Sequence, residues 1–275
     1  VSAVVYSVPL QHLAAFRGRD LVVRGESAVA LVEHLDSDTL ERVAYVRLES
    51  LPPDTECLTN WAEGMPVELC LTDPGAQFAQ LYRYAKLLDN HPMRVSVPAL
   101  PGFEKAVKVA LSLQFAVKLE VGQPDVGTVV TLAQVLGDYL HQPTVTQPVE
   151  YFHTLLLSWF QDPPLNLWGI QEEDPALIRY IDDSGTERLA GKLARYNAGI
   201  DSAGFVESWA TELRSADAEC ADCAFFAHCR GYYKWPQRDY DCAGVKTLFD
   251  TVQQAAEDLQ HDLAAARAAG GETRS

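Results

Sequence analysis

From residue 42 to residue 171 strand-like and helix-like stretches alternate, and that alternation restricts the possible folds more than any other feature of the chain. Five short runs rich in β-branched and apolar residues, at 42–50, 66–73, 93–99, 116–123 and 165–171, read as strands. Between them lie helical periodicities. Phe78, Leu81, Tyr82, Ala85 and Leu88 recur at steps of three and four, as do Phe103, Val107, Ala110 and Leu111. A third helix is expected from Asp125, a natural N-cap, with Val129, Leu132, Val135, Leu136 and Tyr139 as its buried stripe. Strands separated by helices pair in parallel through right-handed crossovers. The expected class is therefore α/β, as a partial (β/α) barrel or an open parallel sheet.

The character changes near residues 171–175. Residues 177–191 alternate apolar and polar side chains around Asp182-Asp183-Ser184-Gly185, a hairpin signal. A helix is expected over 204–216. Another over 243–270 should bury Val245, Leu248, Phe249, Val252, Ala256, Leu259 and Leu263 on one face. This divides the chain into an α/β portion at 1–173, a cysteine-rich module with its closing helix at 174–270, and a disordered tail at 271–275.

Four of the six cysteines fall in that second portion, as Cys220-x2-Cys223-x5-Cys229-x12-Cys242. Two thiolates on a tight turn, a third a few residues on and a fourth after a loop can complete a tetrahedral sulfur set. Four sulfurs suit either an iron–sulfur cube or a single zinc, and His228 beside Cys229 is an alternative zinc ligand. Cys57 and Cys70 are expected to be structural, since free cysteine behaves as a small buried hydrophobe.

The spacing C-x2-C-x5-C, followed by Arg230-Gly231-Tyr232-Tyr233 and a later lone cysteine, resembles the C-terminal part of the SPASM domain, the auxiliary-cluster module of radical SAM enzymes that modify peptides and proteins. The full domain carries seven cysteines for two 4Fe-4S clusters. Residue by residue, the resemblance places one complete ligand set on Cys220, Cys223, Cys229 and Cys242. Tyr233 stands where a ligand of the other cluster would be, and no cysteine occurs between Cys70 and Cys220 to supply its early pair. The losses fall on one cluster. The strand–helix order upstream resembles a radical SAM barrel, with residues 68–99 shaped like that family's second strand, helix and third strand. The C-x3-C-x2-C motif of the SAM-binding cluster is absent, and only Cys57 lies where it would be sought.

The resemblance implies one 4Fe-4S cluster, with zinc as the alternative, and no SAM cluster. It also implies an accessory protein of peptide modification, such as the biosynthesis of ribosomally made, modified peptides (RiPPs). Such a protein would bind a peptide substrate or partner enzyme, a precursor peptide or radical SAM enzyme among them, or pass electrons to it. The alternative function is an enzyme of unknown chemistry on an altered barrel. Asp73, Glu120, Gln171 and Glu172 are expected at strand C-terminal ends, where parallel α/β folds place ligand sites. No catalytic residue is assigned. Arg230, Tyr232, Lys234 and Trp235 are candidates for partner binding, and the aromatics among them could equally shield the cluster. His153, inside an apolar helix, is expected to be a hydrogen-bonded core residue.

A net charge of −16 and the lack of any Lys/Arg-rich block argue against nucleic-acid and membrane-surface partners. No run of eighteen apolar residues occurs, and residues 1–20 lack a secretory pattern. A cytoplasmic location is expected, where thiols stay reduced and cysteine clusters hold metal rather than disulfides. P-loop, dinucleotide-binding, nucleophile-elbow and zincin motifs are missing.

Overall fold

The computed structural model describes residues 4–196, 204–216 and 218–271. Eight strands form one open sheet in the order β6-β5-β4-β3-β2-β1-β7-β8. They are β1 (Val5–Pro9), β2 (Asp20–Gly25), β3 (Val43–Leu48), β4 (Val67–Cys70), β5 (Met93–Pro98), β6 (Ala116–Glu120), β7 (Ile178–Ile181) and β8 (Glu187–Arg188). The first six lie side by side in chain order and are all parallel. β7 adds in parallel to the free edge of β1, and β8 returns against it as the antiparallel arm of a hairpin. The α/β class is therefore that of an open, mostly parallel sheet.

Four of the five expected strands are present. The fifth is not: residues 165–171 form a short helix, Leu167–Ile170, because Asn166 caps it by accepting from the amides of Trp168 and Gly169. Leu167, Trp168 and Ile170 are buried on its packed side. The strands β1 and β2, not foreseen, make the strands of segment 68–99 the fourth and fifth along the chain. The expected helix after β4 is one α turn, Pro74–Gln77, followed by tighter 3-10 turns over Phe78–Asp89. With three residues per turn, Leu81, Tyr84 and Leu87 fall on the buried side while Tyr82 is exposed.

One sheet face is apolar. Val46, Leu48, Val67, Leu69, Val95, Val97, Val117 and Leu119 are fully buried, and the helix Phe103–Ser112 belongs to the same core. Asp125 caps Val126–His141 as expected. The cysteine module packs onto the same core through Phe205–Ala216 and the final helix, Ala243–Gly271. Val245, Leu248, Phe249, Val252 and Ala256 are buried, but Leu259 and Leu263 are exposed, so the helix runs on past the body. The expected disordered tail lies, apart from Gly271, outside the described residues.

Candidate metal centre and the charged cavity beside it

The segment from Cys220 to Cys242 is held by its backbone rather than by a core of its own. Trp168 Nε1 donates to the carbonyl of Arg230 at 3.1 Å and Trp209 Nε1 to that of Gly231 at 3.0 Å. Gln123 Nε2, just beyond β6, donates to the carbonyls of Tyr233 and Gln237, at 2.7 and 3.0 Å. Tyr232 Oη donates to the Val121 carbonyl at 2.9 Å, and Tyr240 Oη to that of Pro124 at 2.7 Å. Gly231 makes the turn possible: its φ is +73°, and a Cβ there would overlap Leu213 Cδ1 and stand 2.9 Å from Trp209 Nε1.

This anchoring brings Cys220, Cys223, Cys229 and Cys242 onto the wall of one small cavity of about 30 Å³. The rest of the wall is largely apolar: Phe225, Phe226, Tyr233, Val245 and Phe249, with Phe225 and Phe249 stacked at 5.2 Å. Three charged groups also line it. Glu219 sits between Lys234 and Lys246, at 2.6 and 2.7 Å. Burial pushes the Cys229 thiol up and that of Cys242 up to about 12. Metal binding there must displace protons. Among the described residues no three His, Cys, Asp or Glu side chains are grouped closely enough to hold a single ion.

His228, the alternative zinc ligand, points elsewhere. Its Nδ1 pairs with Ser158 Oγ at 2.8 Å and its ring lies 3.9 Å from that of Trp159. Cys57 and Cys70 lie away from the cavity, in a loop turn and in β4. Of the candidate partner-binding residues, Tyr232 and Lys234 are buried. Trp235 packs edge-on against Phe205 and Trp209, and Arg230 is ion-paired with Glu207. His153 accepts or donates one hydrogen bond with Tyr139 Oη, 2.8 Å away.

The opposite sheet face is charged. Strand register sets Arg24, Arg47, Glu68 and Arg94 in one row across β2 to β5, and Cys70, Ser96 and Lys118 in another across β4 to β6. Glu68 is fully buried between Arg47 and Arg94. Glu172 receives Lys118, Arg94 and Tyr45 Oη. Burial alone would raise the Glu172 carboxyl, but Lys118 and Arg94 outweigh it and hold it down to about 2.

Above this face is a cavity of about 370 Å³ at the C-terminal ends of the strands. Ser7 of β1, Arg47 of β3, Lys118 of β6 and Tyr180 of β7 all line it. In a flat sheet β6 and β7 would stand about 29 Å apart, six spacings of ~4.8 Å. One cavity can touch both only if the sheet is strongly curved.

Of the residues expected at strand ends, Glu120 and Glu172 line this cavity. Gln171 also reaches it but is structural, since its amide accepts from Val121 N and donates to Leu119 O. Asp73 is the cap of Pro74–Gln77. Gln171 and Glu172 follow a helix rather than a strand. Tyr45, Arg47, Glu68, Arg94, Lys118, Glu173 and Lys192 were not singled out from the sequence, although polar residues at alternate positions of four parallel strands were the signal.

Tyr232 lines the charged cavity and its neighbour Tyr233 lines the thiol cavity, so the two share a wall. Lys192 lies at this wall. Its ammonium donates to the Tyr232 carbonyl and sits 2.9 Å from the centre of that ring. Burial lowers its pKa to about 7, against the pull of Glu173 and Cys229.

None of the protein-family models, curated proteins or solved structures compared with the chain matches it. What fold and site define is an α/β protein with an open parallel sheet, a charged cavity at its strand ends and four thiols around a second cavity behind it.

Proposed function

We propose that Cys220, Cys223, Cys229 and Cys242 hold one 4Fe-4S cluster in an accessory protein of peptide modification, built on a radical SAM-like partial barrel that no longer carries the SAM cluster. The observation that carries this reading is that four thiols, two of them on short helices and two on the connections beside them, line one largely apolar cavity. Sulfur ligands in apolar, partly screened surroundings suit an iron–sulfur cluster. The turning of His228 toward Ser158 favours a cluster over a mixed zinc site. The chain's own residues would bind the cluster by their thiolates, exclude water with Phe225, Tyr233 and Phe249, and place Lys234 and Lys246 beside it. Bound there, a cluster supplies one-electron redox chemistry or a rigid staple. The strand order and the curvature of the sheet support the barrel part of the reading.

The partner is a basic peptide or peptide-modifying enzyme, drawn to a body of net charge −16. Binding then weakens with added salt, because long-range attraction is screened. The test is titration of the cluster-loaded protein with a precursor peptide, or with a radical SAM enzyme encoded beside it, at two ionic strengths. Saturable binding that weakens at the higher ionic strength supports the reading. No binding to either leaves the cluster without a partner role and favours an enzyme working in the charged cavity.

A further inference from the structure

The charged cavity has a feature that the cluster does not explain. Six carboxylates, those of Glu49, Glu68, Glu120, Glu150, Glu172 and Glu173, stand in or just behind its wall. They face five cations, Arg24, Arg47, Arg94, Lys118 and, at the wall shared with the thiol cavity, Lys192. The first four are each answered by a carboxylate. Arg24 meets Glu49 at 2.8 Å, Arg47 meets Glu68 and Glu120 at 3.6 Å, Arg94 meets Glu68, Glu150 and Glu172, and Lys118 meets Glu172. One carboxylate is in excess, six against five.

The excess is localised. Glu173 Oε1 accepts from Lys192 N at 3.3 Å, but Glu173 Oε2 is enclosed and takes no hydrogen bond. Tyr232 Oη, the nearest hydroxyl, spends its proton on the Val121 carbonyl. Gly191 lets the carboxylate lie against the backbone, since its φ is +55° and a Cβ there would overlap Glu173. Lys192 turns its ammonium to the Tyr232 carbonyl instead. Glu120, two-fifths exposed at the mouth, takes Ser96 Oγ at 2.5 Å on Oε1 only. Two enclosed donors, Arg47 Nε in the same wall and Arg24 Nε behind it, also lack a partner. A buried acceptor and a buried donor left unmet cost free energy that a ligand supplying the complements recovers.

We propose that this cavity receives the basic side chain of an amino-acid unit, its ammonium or guanidinium directed at Glu173 and Glu120 and a carbonyl or carboxylate oxygen at Arg47. A volume of about 370 Å³ falls at the lower end of small-molecule sites and suits one residue rather than a long segment. An anion is disfavoured because it would meet the surplus carboxylate while the cations of the wall are already engaged. The inference deepens the peptide-binding part of the reading above and rests on it only for the source of the residue, not for the cluster.

Isothermal titration with N-acetyl-lysine amide, N-acetyl-arginine amide, N-acetyl-norleucine amide and free lysine tests it. The basic amides should bind at least tenfold more tightly than the norleucine amide. Glu173→Gln and Glu120→Gln should each weaken them about tenfold; Glu120, at the mouth, is the variant to read if Glu173→Gln fails to fold. A tighter amide than free lysine marks a peptide residue as the ligand, and the reverse marks a free amino acid. Absence of basic-probe binding, equal binding of the norleucine amide, or unchanged binding in the folded glutamine variants overturns the proposal. Iron analysis of the same samples separates the two failures: full iron without probe binding sinks this inference alone, and probe binding without iron sinks the cluster alone.

Discussion

Lys118 and Glu172 show what the charged face costs and what it contributes. Removing one partner of a buried pair leaves the other charge uncompensated, so Lys118→Met should destabilise the fold by about 3 kcal/mol, read as a lower urea midpoint. Because the folded Glu172 carboxyl titrates near 2, below its unfolded value of about 4.3, its contribution is fully present above that value. It is lost as pH falls through 2. Unfolding curves between pH 6 and 2.5 should lose on the order of 1–3 kcal/mol of this contribution in the native chain. Glu172→Gln should be less stable at pH 6 and lack that share of the slope. Among the thiols, Cys223→Ala should abolish iron binding and loosen the C-terminal segment, because metal affinity is folding free energy. Cys57→Ala, in a turn away from the cavity, should retain iron and lose less than about 1 kcal/mol. Equal iron loss in both variants would contradict the ligand assignment. The four thiols were legible because their spacing is local. Glu173 and Lys192 were not, because their significance depends on burial against Tyr232, forty and more residues away in sequence.

Elements carrying a strong period or a cap were legible: β3 to β6, the Asp125-capped helix and the β7–β8 hairpin each match their sequence signal. Leu165–Gln171 failed because a short apolar run fits strand or helix, and only the Asn166 cap decides. β1 and β2 were overlooked although Val22 and Val23 are buried; they pair with each other, β2 with β3, and β1 with β7, more than 150 residues on. The polar alternation along β3 to β6 also had a meaning beyond strand pairing. In a parallel sheet covered on both faces such residues would be costly, so they foretell a cavity. The turn at Arg230–Tyr233 is where element geometry governs the thiols. Gly231→Ala should cost about 2–4 kcal/mol, from the positive φ and the overlap with Leu213, and should lower iron retention in parallel. Native stability with full iron would show that this turn does not set the site.

The two cavities share the Tyr232–Tyr233 wall, so the molecule places a thiol set directly behind a charged chamber at the ends of a curved parallel sheet. The loop after β1, residues 10–19, holds no cysteine, and no register around Cys57 supplies a second thiol of the SAM-cluster motif. Reduced protein should therefore not cleave SAM to 5′-deoxyadenosine, and product above a cluster-free control would overturn the accessory reading. The central claim is that the four thiols hold one iron–sulfur cluster. Iron, sulfide and zinc analysis of anaerobically reconstituted protein, native and Cys223→Ala side by side, tests it most directly. The account predicts four iron and four sulfide per native chain, close to none in the variant, and no stoichiometric zinc. One zinc per chain with no iron, or iron unaffected by Cys223→Ala, would contradict it.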